Sequence, residues 1–139
     1  MELSNETQNI LKNFSEINQS LAFKQGKVLK TVSPQKNILA VAEVKEEFPQ
    51  DFAVYELNKF LGTLAMFNKP EFSFNSKYVK IVEGKKRVKY VYADSSMFVA
   101  PPEKDIDFPE PEISFSLTQS DLDSLMKAIA VLHLPEVGI

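Results

Sequence analysis

His133 is the only histidine in the 139-residue chain, and cysteine is absent. A zinc site or a Ser–His nucleophile system cannot be assembled around one imidazole without further ligands or partners. Without thiols there are no disulfides, no Cys-based zinc sites and no thiol catalysis. Glu46 and Glu47, and the acids of the proline-rich stretch near residue 105, read as solvated loop carboxylates, so paired acid–base chemistry has no support. The four glycines are scattered and form no phosphate-cradling loop. The remaining chemistry is that of lysine. Lys12, Lys59 and Lys127 fall on or near the polar faces of three predicted amphipathic helices. Ammonium groups so placed can contact phosphates in a sequence-independent, salt-sensitive way. A solvated helix face commonly carries lysine, so spacing alone does not assign them to nucleic acid. Lys85, Lys86, Arg87 and Lys89 cluster at a predicted hairpin tip. This tip reads first as a solvated turn, with contact to phosphate or to an acidic partner as the alternative.

These residues depend on a simple alternation of elements. Ser4 is a plausible N-cap, with Glu6 favoured by the dipole of the first turn. Ile10, Leu11, Phe14, Ile17 and Leu21 follow helical spacing, which predicts a helix over 5–18. Strands are expected over 21–24, 27–33 and 37–44, followed by a polar connection over 46–51. From Phe52 the chain reads as a short buried strand, and then as a helix with Leu57, Phe60, Leu61, Leu64 and Phe67 on one stripe. Asn68, Lys69 and Pro70 stop that helix, and Phe72 and Phe74 resume strand alternation. A hairpin over 77–82 and 87–93 and an apolar piece over 97–100 come next. Pro101, Pro102, Pro109 and Pro111, set among acidic residues, mark an extended connector outside any sheet. Beyond it, 112–117 alternates as a strand, and Thr118 with Asp121 resembles a capping box. Leu122, Leu125, Met126, Ile129 and Leu132 form a third apolar stripe, and 137–139 looks like the start of a strand. The three helices superimpose as Leu11, Leu61 and Met126, which places Lys12 and Lys127 at one position and Gly62 at the same position in the second helix. A strand–helix–strand unit is thus expected three times, in an α+β fold.

Composition fits an ordinary globular chain, with 44% hydrophobic and 25% charged residues. A net charge of −3 argues against a nucleic-acid binder that uses its whole surface, but it leaves room for a local basic face. No apolar run is long enough to span a membrane, and the polar, acidic N-terminus is unlike a signal peptide. The default setting is an intracellular, reducing one.

Three stretches resemble one family: Leu-Ser-Asn-Glu-Thr-Gln-Asn-Ile-Leu-Lys-Asn-Phe-Ser-Glu-Ile-Asn over 3–18, Phe-Ala-Val-Tyr-Glu-Leu-Asn-Lys-Phe-Leu-Gly over 52–62, and Phe-Val-Ala-Pro over 98–101. Together with Phe108-Pro109 and the helix after Asp121-Leu122, they resemble the sliding clamps of T4-type bacteriophages, in register from Leu3 to Ile139. The resemblance implies a DNA-clamp fold of antiparallel sheets with amphipathic helices on one face. Its domains would be a first clamp domain over 1–100, an interdomain connector over 101–111 and the start of a second clamp domain over 112–139, so that the chain reads as part of a longer subunit. The family relation further implies a non-enzymatic processivity factor without cofactor or metal. It would act in the cytoplasm of an infected host cell, as a homotrimeric ring around duplex DNA. DNA polymerase and a clamp loader would be its partners. Lys12 and Lys127 then match basic positions of DNA-facing helices, whereas Lys59 has no such match. Phe98, Val99, Ile106 and Phe108, at and within the connector, become the candidates for partner contact; the simpler alternative is that they pin the connector to the sheet. The competing reading of the whole chain is a non-enzymatic α+β interaction domain that buries its sheet edges against a partner.

Overall fold

The computed structural model describes residues 1–104, 106–107 and 109–138. These divide into two compact units, Met1–Glu103 and Lys104–Ile139. The first contains helix α1 (Asn5–Ile17), strands β1 (Leu21–Phe23), β2 (Gly26–Val32), β3 (Leu39–Phe48) and β4 (Phe52–Val54), helix α2 (Leu57–Leu64), strands β5 (Glu71–Phe74), β6 (Tyr78–Glu83) and β7 (Lys86–Val91), and a 3-10 turn over Ser95–Met97. All strand pairing is antiparallel, in three small sheets: β1 with β4, β2 with β3, and β5–β6–β7.

Local chemistry explains the boundaries. The Ser4 hydroxyl caps α1 by accepting from the Thr7 N–H. The Asn18 N–H closes the helix on the Phe14 carbonyl, and its side-chain amide donates to Val32 O at 2.9 Å, tying the helix end to β2. The Leu57 N–H donates to Gln19 O at 2.7 Å, so the start of α2 is bound to the turn that leaves α1. Gly84, at φ +56°, takes the first place in the two-residue turn between Glu83 and Lys86, a conformation disfavoured for other residues.

One face of each of α1 and α2 is covered. Leu11, Phe14, Leu57, Phe60, Leu64 and Phe67 are buried in a core shared with Leu21, Phe23, Leu29, Val44, Phe48, Phe52, Val54, Phe72, Val79 and Ile81. The first two stripes read from the sequence are therefore the core-facing stripes, whereas the third, on the helix over Gln119–Leu132, includes no buried residue, with Leu122, Met126 and Leu132 exposed. At the centre, Phe23 stacks on Phe52 with ring centroids 4.3 Å apart and planes within 8°. Phe48 meets Phe23 edge-on at 5.0 Å, and Phe74 and Tyr92 lie 5.4 and 5.2 Å from Phe52. Phe60 of α2 meets Tyr90 of β7 edge-on at 5.1 Å.

The structure corrects several expectations. The polar connection over 46–51 is in part strand, because β3 runs on to Phe48. Residues 112–117 form no strand. Ile113 is 81% and Phe115 59% exposed, because alternation alone cannot hold a strand that has no neighbour to pair with. Residues 137–138 are also irregular, and Ile139 lies outside the described residues. The strand–helix–strand unit is therefore complete only around α2, between β4 and β5: α1 is followed by β1 but preceded by no strand, and no strand flanks helix α3 (Gln119–Leu132) among the described residues of the second unit. The cap of α3 is a full capping box. Asp121 N donates to the Thr118 hydroxyl, while the Asp121 carboxylate accepts from the Thr118 N–H at 3.2 Å and from its hydroxyl at 2.6 Å. The apolar piece over 97–100 begins in the 3-10 turn capped by Asp94, whose carboxylate accepts from the Ser96 N–H at 2.9 Å.

The aromatic core generates a direct test. Phe23 is 1% exposed, so Phe23→Ala should destabilise the first unit by about 3–5 kcal/mol, a large share of a typical total. Phe115→Ala should change stability by less than about 0.5 kcal/mol. Urea unfolding followed by far-UV circular dichroism would check both, and comparable midpoint shifts for the two variants would contradict the assignment of the core.

Candidate nucleic-acid interface

Helix α1 presents Asn5, Glu6, Asn9, Lys12, Asn13 and Glu16 on its exposed side. The Glu6 carboxylate is engaged by Lys45 of β3 at 2.7 Å, an exposed pair that contributes little to stability but locally cancels the negative charge. The face that surrounds Lys12 is thus rich in amides, with Lys12 and Glu16 as its remaining charges. Amide and ammonium donors of this kind can reach phosphate oxygens without reading bases.

Lys59, on α2, is exposed but bonded to Glu56 at 2.6 Å, one turn earlier. Its charge is locally compensated, and Gly62 lies on the exposed side near it. Lys127 is exposed on α3 in the second unit, where Asp121 and Asp123 lie in the turns that precede it. The structure places Lys12 and Lys59 on two neighbouring helices of one unit and Lys127 in the other unit.

The partner-contact candidates are likewise divided. Phe98 and Val99 are half-buried in the first unit, just after the 3-10 turn. Ile106 is 51% exposed in the second, and Phe108 lies outside the described residues. Directly after Val99, Ala100, Pro101, Pro102 and Glu103 form one wall of a groove of about 580 Å³. Its other wall includes Ala22, Lys24, Lys27, Val28 and Lys30. The Lys24 ammonium is held by Asp51 at 2.8 Å, which raises the lysine's pKa and lowers that of the carboxyl. Neither Phe98 nor Val99 lines this groove. Among the described residues no cluster of three or more metal-ligating side chains occurs, and no helix is long and apolar enough to cross a membrane.

Glu46 is the residue that sequence reasoning missed. It does not sit in a solvated loop. Its carboxylate accepts from the Ser4 backbone N–H and, at 2.5 Å, from the Thr7 hydroxyl, so β3 clamps the first turn of α1. The ladder explains how it gets there. Val28 pairs with Glu43 and Gly26 with Phe48, so residues 44–47 of β3 bulge away from β2. Bulges re-aim side chains, and this one brings Lys45 and Glu46 to the helix start. Gly26, at φ +114°, supplies the turn on the opposite strand. The available signal was period two: Val44 and Phe48 are buried, and Glu46 lies between them on the inward side.

The Glu46 carboxyl feels two opposed effects. Burial pushes its pKa up, and the hydrogen bonds from Thr7 and Ser4 together more than reverse that, leaving it below its ordinary value of 4.5. A lowered folded-state pKa gives stabilisation that is present above the ordinary value and is lost as pH falls through the lowered one. Glu46→Gln should therefore unfold at lower urea than wild type near neutral pH, by about 1 kcal/mol, and the gap should close as pH drops below about 4.5. A gap unchanged between neutral pH and about pH 3 would refute the role of the carboxylate charge.

Two comparisons with known proteins identify the family of the chain. The family model described as DNA polymerase processivity factor matches residues 4–99, from the cap of α1 to just past the 3-10 turn. The chain is similar to the sliding clamp of Vibrio phage KVP40, at 31% identity over all of this chain and 64% of that protein. It is similar as well to the sliding clamps of Escherichia phage RB69, at 32%, and Enterobacteria phage T4, at 30%, in each case over all of this chain and 61% of the relative. The chain thus spans 61–64% of the length of these curated relatives.

Proposed function

The chain belongs to the DNA polymerase processivity factor family, and from that premise we propose that it forms part of a sliding-clamp subunit that tethers DNA polymerase to duplex DNA by encircling it. The observation that carries the proposal is the family match over 4–99, which takes in both helices and all seven strands of the first unit. In this reading residues 1–100 are a first clamp domain, 101–111 a connector and 112–139 the start of a second domain, and three full subunits close the ring.

The proposed mechanism is topological and not catalytic. A closed ring need not grip DNA, so its inner surface requires only weak, diffuse attraction. An α1 face with one lysine among asparagines, and Glu16 one turn on, suits that demand better than a dense basic patch would. Each ammonium that neutralises a phosphate adds a salt-dependent increment and no sequence preference. Lys12 and Lys127 are assigned to face DNA, with Lys59 in a lesser role because Glu56 occupies it. Glu46 and Thr7 act behind Lys12, by fixing the helix that carries it. The clamp loader and polymerase would bind elsewhere, with Phe98, Val99, Ile106 and Phe108 as the proposed polymerase contacts near the connector.

Loaded by its clamp loader on nicked circular duplex, the full-length protein should remain bound and should run off when the circle is linearised. Lys12→Glu combined with Lys127→Glu should lower the loaded fraction by about threefold to tenfold at low salt, with a stability change under about 0.5 kcal/mol. Tight, sequence-dependent binding to short linear duplexes would rule out the clamp reading, and full loading by the double variant would remove both lysines from the DNA-facing set.

A further inference from the structure

The lysine-rich hairpin is unexplained by the clamp reading. Cross-strand register sorts its side chains by face. Lys80 lies directly opposite Lys89, Val82 opposite Arg87 and Tyr78 opposite Val91. Val79 and Ile81, one residue out of step, are fully buried. Lys80, Arg87, Lys89, Tyr78, Val82 and Val91 therefore share the outer face of the β5–β6–β7 sheet, turned away from the core and from α2, which packs its Phe60 on Tyr90 across the inner face.

This face has a charge problem that the fold does not solve. Like charges directly opposite one another on an antiparallel pair are destabilising. Among the described residues no carboxylate lies within ion-pair distance of Lys80, Arg87 or Lys89. The nearby acid Glu83 points the other way and is engaged by the Asn68 and Lys69 N–H groups at 3.0 and 2.6 Å. Glu71 shares the outer face, opposite Val82 and diagonal to Lys80, but it forms no ion pair with Lys80, Arg87 or Lys89. Lysines on an exposed edge strand also guard against aggregation, and β7 is an edge. That explanation covers Arg87 and Lys89 but not Lys80, which is on the central strand β6 and gains nothing from protecting an edge.

We propose that this outer face, with Lys80, Arg87 and Lys89 set around Tyr78, Val82 and Val91, docks an acidic segment of a partner protein that alternates carboxylates with apolar side chains. Charge complementarity supplies the acids, and the interleaved Val82, Val91 and Tyr78 supply apolar contact for the residues between them. A nucleic acid fits less well. The ring face of Tyr78 is covered by the Lys89 ammonium, 5.1 Å from its centroid, so that face is closed to base stacking. The surface is independent of the clamp reading, since it involves neither the helix faces nor the connector.

The test uses the whole chain and a fluorescein-labelled twelve-residue peptide of alternating Glu and Leu, followed by anisotropy and by two-dimensional NMR. The peptide should bind in low salt, weaken as salt rises, and shift the amides of residues 78–91. Lys80→Thr with Lys89→Thr, which relieves the repulsion and keeps strand propensity, should raise Tm by a few degrees and weaken peptide binding by about tenfold or more. A higher Tm with unchanged binding would show that the lysines guard the sheet only, and would overturn the proposal. So would amide shifts confined to other segments, no binding at all, or a preference of this face for a twenty-base-pair duplex over the peptide. Clamp loading by the full-length Lys80→Thr/Lys89→Thr variant should be unchanged, which separates this surface from the DNA-facing one.

Discussion

The stack of Phe23 on Phe52 is the contact on which the first unit depends. The three sheets contain two, two and three strands, and among the described residues no ladder joins one sheet to another. Two-stranded ribbons are marginal in water, so backbone hydrogen bonding cannot by itself hold this arrangement. Side-chain packing must do so, and the aromatic rings are long enough to reach between sheets. Phe23 and Phe52, register partners within the β1–β4 sheet, form the hub; Phe48 joins β3 to it, Phe74 and Tyr92 bring in the third sheet, and Phe60 with Tyr90 adds α2. Offset and edge-on ring pairs contribute beyond the area they bury, which suits a core that must join separate layers. The phenylalanine-rich, tryptophan-free composition is the counterpart of this construction.

The aromatic core holds α1 and α2 by their apolar stripes, but it does not set how firmly the first turn of α1 is held. That is a polar matter, decided by the β3 bulge. A carboxylate that accepts from a backbone N–H and a buried threonine hydroxyl satisfies donors that the helix start would otherwise leave unpaired. The neighbouring Lys45 neutralises Glu6 on the same turn. Two consecutive residues of one strand thus fix the position and adjust the charge of the helix that carries Lys12. The outer face of the third sheet shows the opposite arrangement, with Lys80 juxtaposed to Lys89 and neither in an ion pair among the described residues.

Much of this was legible from pattern. The stripes Leu11–Phe14 and Leu57–Phe60–Leu64 follow helical spacing because each helix buries one face, and Pro70 and the Thr118–Asp121 pair mark boundaries by local chemistry. Residues 112–117 misled for a physical reason. Alternation describes which side chains would share a face, whereas a strand exists only when a neighbour completes its hydrogen bonds. Glu46 misled in the opposite direction, since a run of charged residues before Pro49 resembles a loop until the bulge turns one of them inward. Lys59 follows Glu56 by three residues, and the bond between them depends on rotamers that this spacing permits but does not require.

The sequence by itself determined the class of protein: an α+β chain without thiols, with a single histidine, and with family-specific stretches at 3–18 and 52–62. Those properties are local, or are additive over composition. Only the tertiary structure decided which charges are engaged and which are not. Glu46 meets Thr7 across 39 residues and Glu6 meets Lys45 just as remotely, while Lys80 faces Lys89 across a hairpin. Electrostatic partnership falls off with distance in space and takes no account of separation along the chain, so it emerges only once the aromatic core has brought the strands and helices together.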